Sequence, residues 1–162
     1  MRFEKVKREF FDKDSRNNCF EPTDEVYDSI KLPVRKTSGS AAYDFSTPYD
    51  IELYGGERRV VPTGIKAKMD KGEVLLIAPR SSIGIKDGVV FSNSIALIDA
   101  DYYGCDANDG DIQLALWNSS SKRVSYPAGT RLAQGMFVKF DITEDDNASG
   151  ERSGGIGSTG NE

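Results

Sequence analysis

Asp99 and Asp101 stand beside Tyr102 and Tyr103, directly after the apolar run of residues 95–98. A carboxylate at the edge of a buried hairpin can hold a water molecule and take its proton. The chain contains no histidine. That excludes Ser-His and Cys-His nucleophile pairs and imidazole zinc sites, so a base working near neutral pH has to be a carboxylate, Lys, Tyr or bound water. Two other uses compete for these aspartates, plain turn positions and a calcium loop. Spacing rejects the calcium loop: counted from Asp99, the fifth position is Tyr103 and the twelfth is Gly110, where a Glu is needed. Counting from Asp106 places Gly110 and Trp117 there and fails as well.

Other residues have the chemistry of anion binding. In residues 152–160 an arginine, hydroxyls and glycines are packed together, and glycine lets successive backbone N–H groups converge on a phosphate. The Walker pattern is absent. Arg80, Ser81 and Ser82 follow Pro79 at the end of an apolar run and could open a short helix toward an anion, or simply cap a turn. Asp44 lies between Tyr43 and Phe45, so on a strand it takes the opposite face from both. Arg131 and Gln134 begin another apolar run.

The elements that must position these groups read as many short strands. Apolar runs at residues 59–62, 73–78, 89–98, 112–117 and 132–140 are separated by Gly, Asp and Pro turns, which predicts an all-β barrel or sandwich. Residues 1–30 are ambiguous, with Phe3, Val6, Phe10 and Phe11 marking either helix turns or a broken strand. Residues 1–143 are expected to form one β domain. Residues 144–162 are rich in glycine and almost free of apolar side chains, which predicts a flexible arm.

Composition narrows the function. Lys plus Arg is 21 against 26 Asp plus Glu, a net charge of −5 over 162 residues, which argues against sequence-blind nucleic-acid binding. Two distant cysteines, Cys19 and Cys105, make neither a zinc site nor a redox pair. No apolar stretch is long enough for a membrane span, and the opening residues lack a signal-peptide pattern, so a reducing cytoplasm is the expected setting.

Taken in order, the segments around Asp44, Arg80-Ser81-Ser82, Asn93 to Gly104, Arg131-Leu132-Ala133-Gln134-Gly135 and Arg152 to Gly160 resemble the five motifs of the trimeric deoxyuridine triphosphatases, over about residues 32–160. The resemblance implies a distorted β-barrel or jelly roll with one short helix and a Gly-rich C-terminal arm, assembled as a homotrimer. It implies hydrolysis of dUTP to dUMP and pyrophosphate, by water attack on the α-phosphorus, with Mg2+ on the triphosphate. By resemblance Asp99 is the catalytic carboxylate, and Arg80, Ser81 and Ser82 bind phosphates. Asn93 contacts uracil, while Leu97 and Ile98 belong to the hairpin that reads the base through its backbone. Tyr102 packs on the deoxyribose and leaves no room for a 2′-hydroxyl. Asp44, through water, and Gln134 organise metal and phosphates, and Arg131 is a structural ion-pair partner. Arg152, Ile156, Gly157, Ser158 and Thr159 belong to the arm that closes over the triphosphate of a neighbouring subunit.

The sequence departs from the family pattern at Ile156, where an aromatic is usual, at Ala42 in place of glycine, and in a polar loop at residues 105–110. Two alternatives stand beside the hydrolase: a dCTP deaminase, which would need a Glu that residues 93–103 lack, and a regulatory protein on the same scaffold, with loop 105–110 as its docking surface for a protein partner.

Overall fold

A computed structural model describes residues 1–150. Eleven strands dominate: β1 (Arg2–Lys5), β2 (Tyr43–Ser46), β3 (Ile51–Leu53), β4 (Arg58–Pro62), β5 (Ile65–Lys68), β6 (Glu73–Pro79), β7 (Val89–Phe91), β8 (Ala96–Asp99), β9 (Gln113–Asn118), β10 (Val124–Tyr126) and β11 (Arg131–Lys139). They form four small antiparallel sheets, ordered β2-β11-β6-β8, β4-β9-β7, β1-β5 and β10-β3. The all-β fold is as expected. The run at residues 89–98 is two strands joined by a turn, because Ser94 adopts a φ of 65° and breaks the extended path.

Alternation along β6 decides which groups face outward. Leu75 and Ile77 are fully buried, whereas Val74, Leu76 and Ala78 are half-buried on the other face. The inner face joins Phe45, Leu53, Val61, Ile112, Leu114, Leu116 and Leu132 in one core. Gly135 sits against that core, where a Cβ would come within 3.0 Å of Phe45 and 3.1 Å of Leu75.

Residues 1–30 contain a strand and two helices, so the fold holds more helix than the single short one expected. β1 pairs with β5, α1 spans Arg8–Asn17 and α2 spans Asp24–Ser29. Thr23 caps α2 by accepting from the Val26 N–H at 3.2 Å. The alternatives of strand and helix turn are both realised, since Phe3 lies on β1 and Phe11 on α1. Val6 and Phe11 are fully buried, and Phe3 meets Phe45 at 5.4 Å between ring centroids, so the segment extends the core. No helix of the described residues is long and apolar enough to cross a membrane.

Candidate active site

Two groups of candidate residues lie on the outer face of the β2-β11-β6-β8 sheet, at its opposite ends. At one end, Asp44 is Gln134's partner across β2 and β11, and Gln134 faces Ala78 across β11 and β6. Arg131 and Gln134 are three residues apart and would point to opposite faces of a regular strand. A bulge between Arg131 and Ala133 shifts the register by one and brings both to the Asp44 side. Arg131 Nη1 donates to Asp44 Oδ2 at 2.7 Å, and Arg80 Nε lies 3.1 Å from Asp44 Oδ1. Two guanidinium groups against one carboxylate leave a local positive charge, and Asp44, with its side chain 12% exposed, is held rigidly between them.

This end opens into a groove of about 460 Å³ whose lining includes Asp44, Ala78, Arg80, Ile95 and Gln134. Lys36 also lines it. Its chemistry suits a polyanion approached by cations and side-chain amides. Ser81 and Ser82 are exposed just beyond Arg80, followed by a π-helical turn at Ile83–Asp87 in the place where a short helix was expected. Such turns recur at functional sites.

At the other end, Asp99 closes β8 opposite Val74 and is exposed. Asn93 belongs to the Arg80 end instead: β8 runs antiparallel to β6 with Ala96 opposite Ile77, so the exposed β7–β8 turn, where the Ile95 N–H donates to the Asn93 carbonyl at 2.7 Å, lies toward Arg80. Leu97 projects outward at 62% exposure, and Ile98 is half-buried on the inner side. Tyr102 ends a 3₁₀ turn and is buried at 8% exposure. Its hydroxyl donates to the Asp111 carbonyl at 3.0 Å and accepts from Asn108 Nδ2 at 2.8 Å. Burial pushes the Tyr102 phenol up to about 12, so it stays a donor at neutral pH.

One chain therefore does not unite its candidate residues. Asp99 faces Val74, and Arg80 lies six residues further along the same strand path, roughly 20 Å away at about 3.3 Å per residue. Arg152, Ile156, Gly157, Ser158 and Thr159 lie outside the described residues; residues 144–150 are exposed.

The loop at residues 105–110 is turned mostly inward, leaving Asp106 and Ala107 exposed. Cys105, Asn108, Asp109 and Gly110 are buried against α1 and Tyr102. Asp109 Oδ2 accepts from the Lys7 N–H at 2.8 Å and from Lys66 Nζ at 2.7 Å. Sequence reasoning missed Asn108 and Asp14 altogether, because nothing in their spacing marks a contact between residues 94 positions apart.

An all-β fold with a groove that carries Arg80 and Lys36 at one end of a sheet face and an exposed carboxylate at the other defines the class: a β protein whose outer sheet face offers an anion-binding groove and a candidate base at separate ends. Residues 28–160 match the family model described as dUTPase. The deoxyuridine 5'-triphosphate nucleotidohydrolase of Lactococcus lactis subsp. lactis (strain IL1403) is 39% identical over 133 residues, 81% of this chain and 89% of that one. The crystal structure of dUTPase from Streptococcus mutans superposes with a TM-score of 0.72 at 35% identity, covering 89% of this chain and 99% of that one. A dUTPase from phage phi11 of S. aureus, whose structure details coordination of a structural Mg(II) ion, shares the fold, with a TM-score of 0.63 at 18% identity over 78% of this chain and 94% of that one. The chain belongs to the dUTPase family.

Proposed function

We propose that the protein is a dUTP pyrophosphatase that hydrolyses dUTP to dUMP and pyrophosphate. The observation that carries this reading is the family match over residues 28–160, which spans every motif from Asp44 to Thr159. Asp99 takes a proton from a water whose oxygen bonds to the α-phosphorus. The bond from that phosphorus to the bridging oxygen breaks, and pyrophosphate leaves. Arg80, Ser81, Ser82 and Gln134 hold the phosphates, with Arg152, Gly157, Ser158 and Thr159 of the arm; Ile156 covers the base by apolar contact. Asn93 and the backbone at Leu97 and Ile98 read uracil, and the Tyr102 ring, tethered by its hydroxyl, packs against the deoxyribose. Residues 144–162 act as the closing arm of a domain formed by residues 1–143.

The separation of Asp99 from Arg80 supports an assembly in which one subunit supplies the Arg80 end and another the Asp99 end. A row suited to such packing crosses the outer sheet face: Met136 opposes Leu76 and Leu76 opposes Leu97, with Met136 41% and Leu97 62% exposed. A homotrimer with shared arms meets this requirement by symmetry.

Magnesium fits the residues present. No cluster of three or more ligating side chains occurs among the described residues, and Mg2+ characteristically keeps its waters and binds through one or two carboxylates and substrate phosphates. Asp44 gives one oxygen to each arginine and keeps lone pairs for metal-bound water. When bound, the ion would neutralise triphosphate charge; Asp44, fixed by Arg80 and Arg131, would orient its waters. Cys19 and Cys105 are both free thiols, in keeping with a reducing, cytoplasmic setting.

The deaminase and regulatory alternatives find no support in the relatives. Pyrophosphate release from dUTP, dCTP, dTTP and UTP, with and without Mg2+, tests the reading. Mg2+-dependent release from dUTP alone is expected. Ammonia from dCTP, or equal turnover of all four nucleotides, would overturn it.

A further inference from the structure

Tyr102 is tethered by two segments outside the hairpin that carries it. Asn108 Nδ2 donates to the Tyr102 hydroxyl at 2.8 Å and to Asp14 Oδ2 at 3.2 Å, and lies 3.3 Å from the Asp111 carbonyl. Its Oδ1 accepts from the Gly110 N–H at 3.2 Å and from the Cys105 thiol at 3.1 Å, which fixes the orientation of the amide. Asp14 Oδ2 accepts in addition from Gln113 Nε2 at 2.7 Å. Asp14 and Asn108 are buried, at 5% and 8% exposure. The phenol thus has both its lone-pair side and its proton committed.

The chain segments behind this relay are locked together as well. Lys13 Nζ donates to the Ala107 carbonyl at 3.0 Å, and the Lys7 N–H reaches Asp109 at 2.8 Å. Asp14 lies on α1, within the first 27 residues, which fall outside the span of the family model. A segment outside the span of the family model therefore reaches the ring that the proposed function sets against the sugar.

We propose that Asp14 and Asn108 are positioning residues that hold the Tyr102 ring in place and thereby set how strongly the enzyme prefers a deoxyribonucleotide to a ribonucleotide. The proposal rests on the reading of Tyr102 as the sugar-side ring. A ring excludes a 2′-hydroxyl only by occupying its space, so the discrimination is limited by how readily the ring yields. Side-chain movement of about an ångström would admit the extra oxygen, and displacements of that size carry large rate effects. Anchored through its hydroxyl by a buried amide, which is itself anchored by a carboxylate, the ring cannot swing without leaving buried polar groups unpaired.

Steady-state kcat and KM for dUTP and UTP decide the matter in wild type, Tyr102→Phe, Tyr102→Ala, Asn108→Ala, Asp14→Ala and Asp14→Asn, each measured well below its own unfolding midpoint. Tyr102→Phe, Asn108→Ala and Asp14→Ala are expected to lower the ratio of kcat/KM for dUTP over UTP by about tenfold. The change should come from a higher KM for dUTP and better use of UTP. Asp14→Asn keeps an acceptor oxygen for Asn108 and Gln113 and should restore most of the ratio, which a purely structural role would not produce. If Asn108→Ala fails to fold, Tyr102→Phe and the two Asp14 variants still discriminate between the outcomes. A wild-type ratio in Tyr102→Phe and Asp14→Ala, with Tyr102→Ala changed, would overturn the relay alone. A wild-type ratio in Tyr102→Ala would show that the ring does not face the sugar, and the proposal would fall together with that reading.

Discussion

Asp99 and Arg80 share the outer face of one sheet yet stand at opposite ends of strand β6, Asp99 opposite Val74 and Arg80 just beyond Pro79. With the proposed roles of base and phosphate clamp, two groups roughly 20 Å apart along a strand cannot serve the same α-phosphorus from one chain. Under the proposed function, the separation makes assembly a condition of catalysis rather than a matter of stability.

Complementation between inactive variants follows directly. Arg80→Ala and Asp99→Asn homo-oligomers should each be nearly inactive, with Asp99→Asn reduced at least about 100-fold in kcat. Equal co-expression should recover about a quarter of the sites, because random assortment unites one intact Arg80 with one intact Asp99 in that fraction. Pyrophosphate release from the purified mixture measures it. Activity no greater than that of the parents would place both residues in one subunit's site.

The N-terminal segment rests on Gly64. Its φ is +69°, and a Cβ there would fall 2.5 Å from the Ile30 Cδ1 and 3.0 Å from the Phe11 ring. Gly64→Ala combines a disfavoured backbone angle with a clash against Ile30, just past α2, and Phe11 of α1, and should cost about 1–3 kcal/mol. A urea titration checks this; an unchanged midpoint would mean that the segment is not seated on this turn.

How much of the molecule was legible in the sequence differs by feature. Strand runs such as 73–78 stood out, because alternating burial on β6 leaves apolar residues on both faces between turn glycines. The position of Asp44 opposite Gln134 was not legible. It depends on a bulge at the start of β11, and a one-residue slip carries no compositional signal. The role of α1 was equally hidden, because Phe11 and Asp14 acquire their partners only when distant loops close over them. The motifs named the candidate residues, but whether one chain could bring them together depended on the ladder register.

Asp111 should impose a pH dependence on stability. Its side chain is fully buried; Oδ1 accepts from the Gly64 N–H at 2.8 Å, and Oδ2 has no hydrogen-bond partner among the described residues. Burial, then repulsion from Asp14, holds its pKa well above the usual carboxylate range. The folded state therefore retains a proton that the unfolded chain releases near pH 4, and stability is lost as pH rises from about 4 through the raised value. Asp111→Asn removes this titration. The variant's unfolding free energy minus that of the wild type should grow with pH across that window; parallel curves would contradict the assignment.

Hydrolysis of dUTP in water enriched in heavy oxygen tests the central claim most directly. Attack on the α-phosphorus by a water that Asp99 deprotonates predicts the label in dUMP and none in pyrophosphate, at a rate that Asp99→Asn reduces at least about 100-fold. Label in the pyrophosphate, or full turnover by Asp99→Asn, would contradict it.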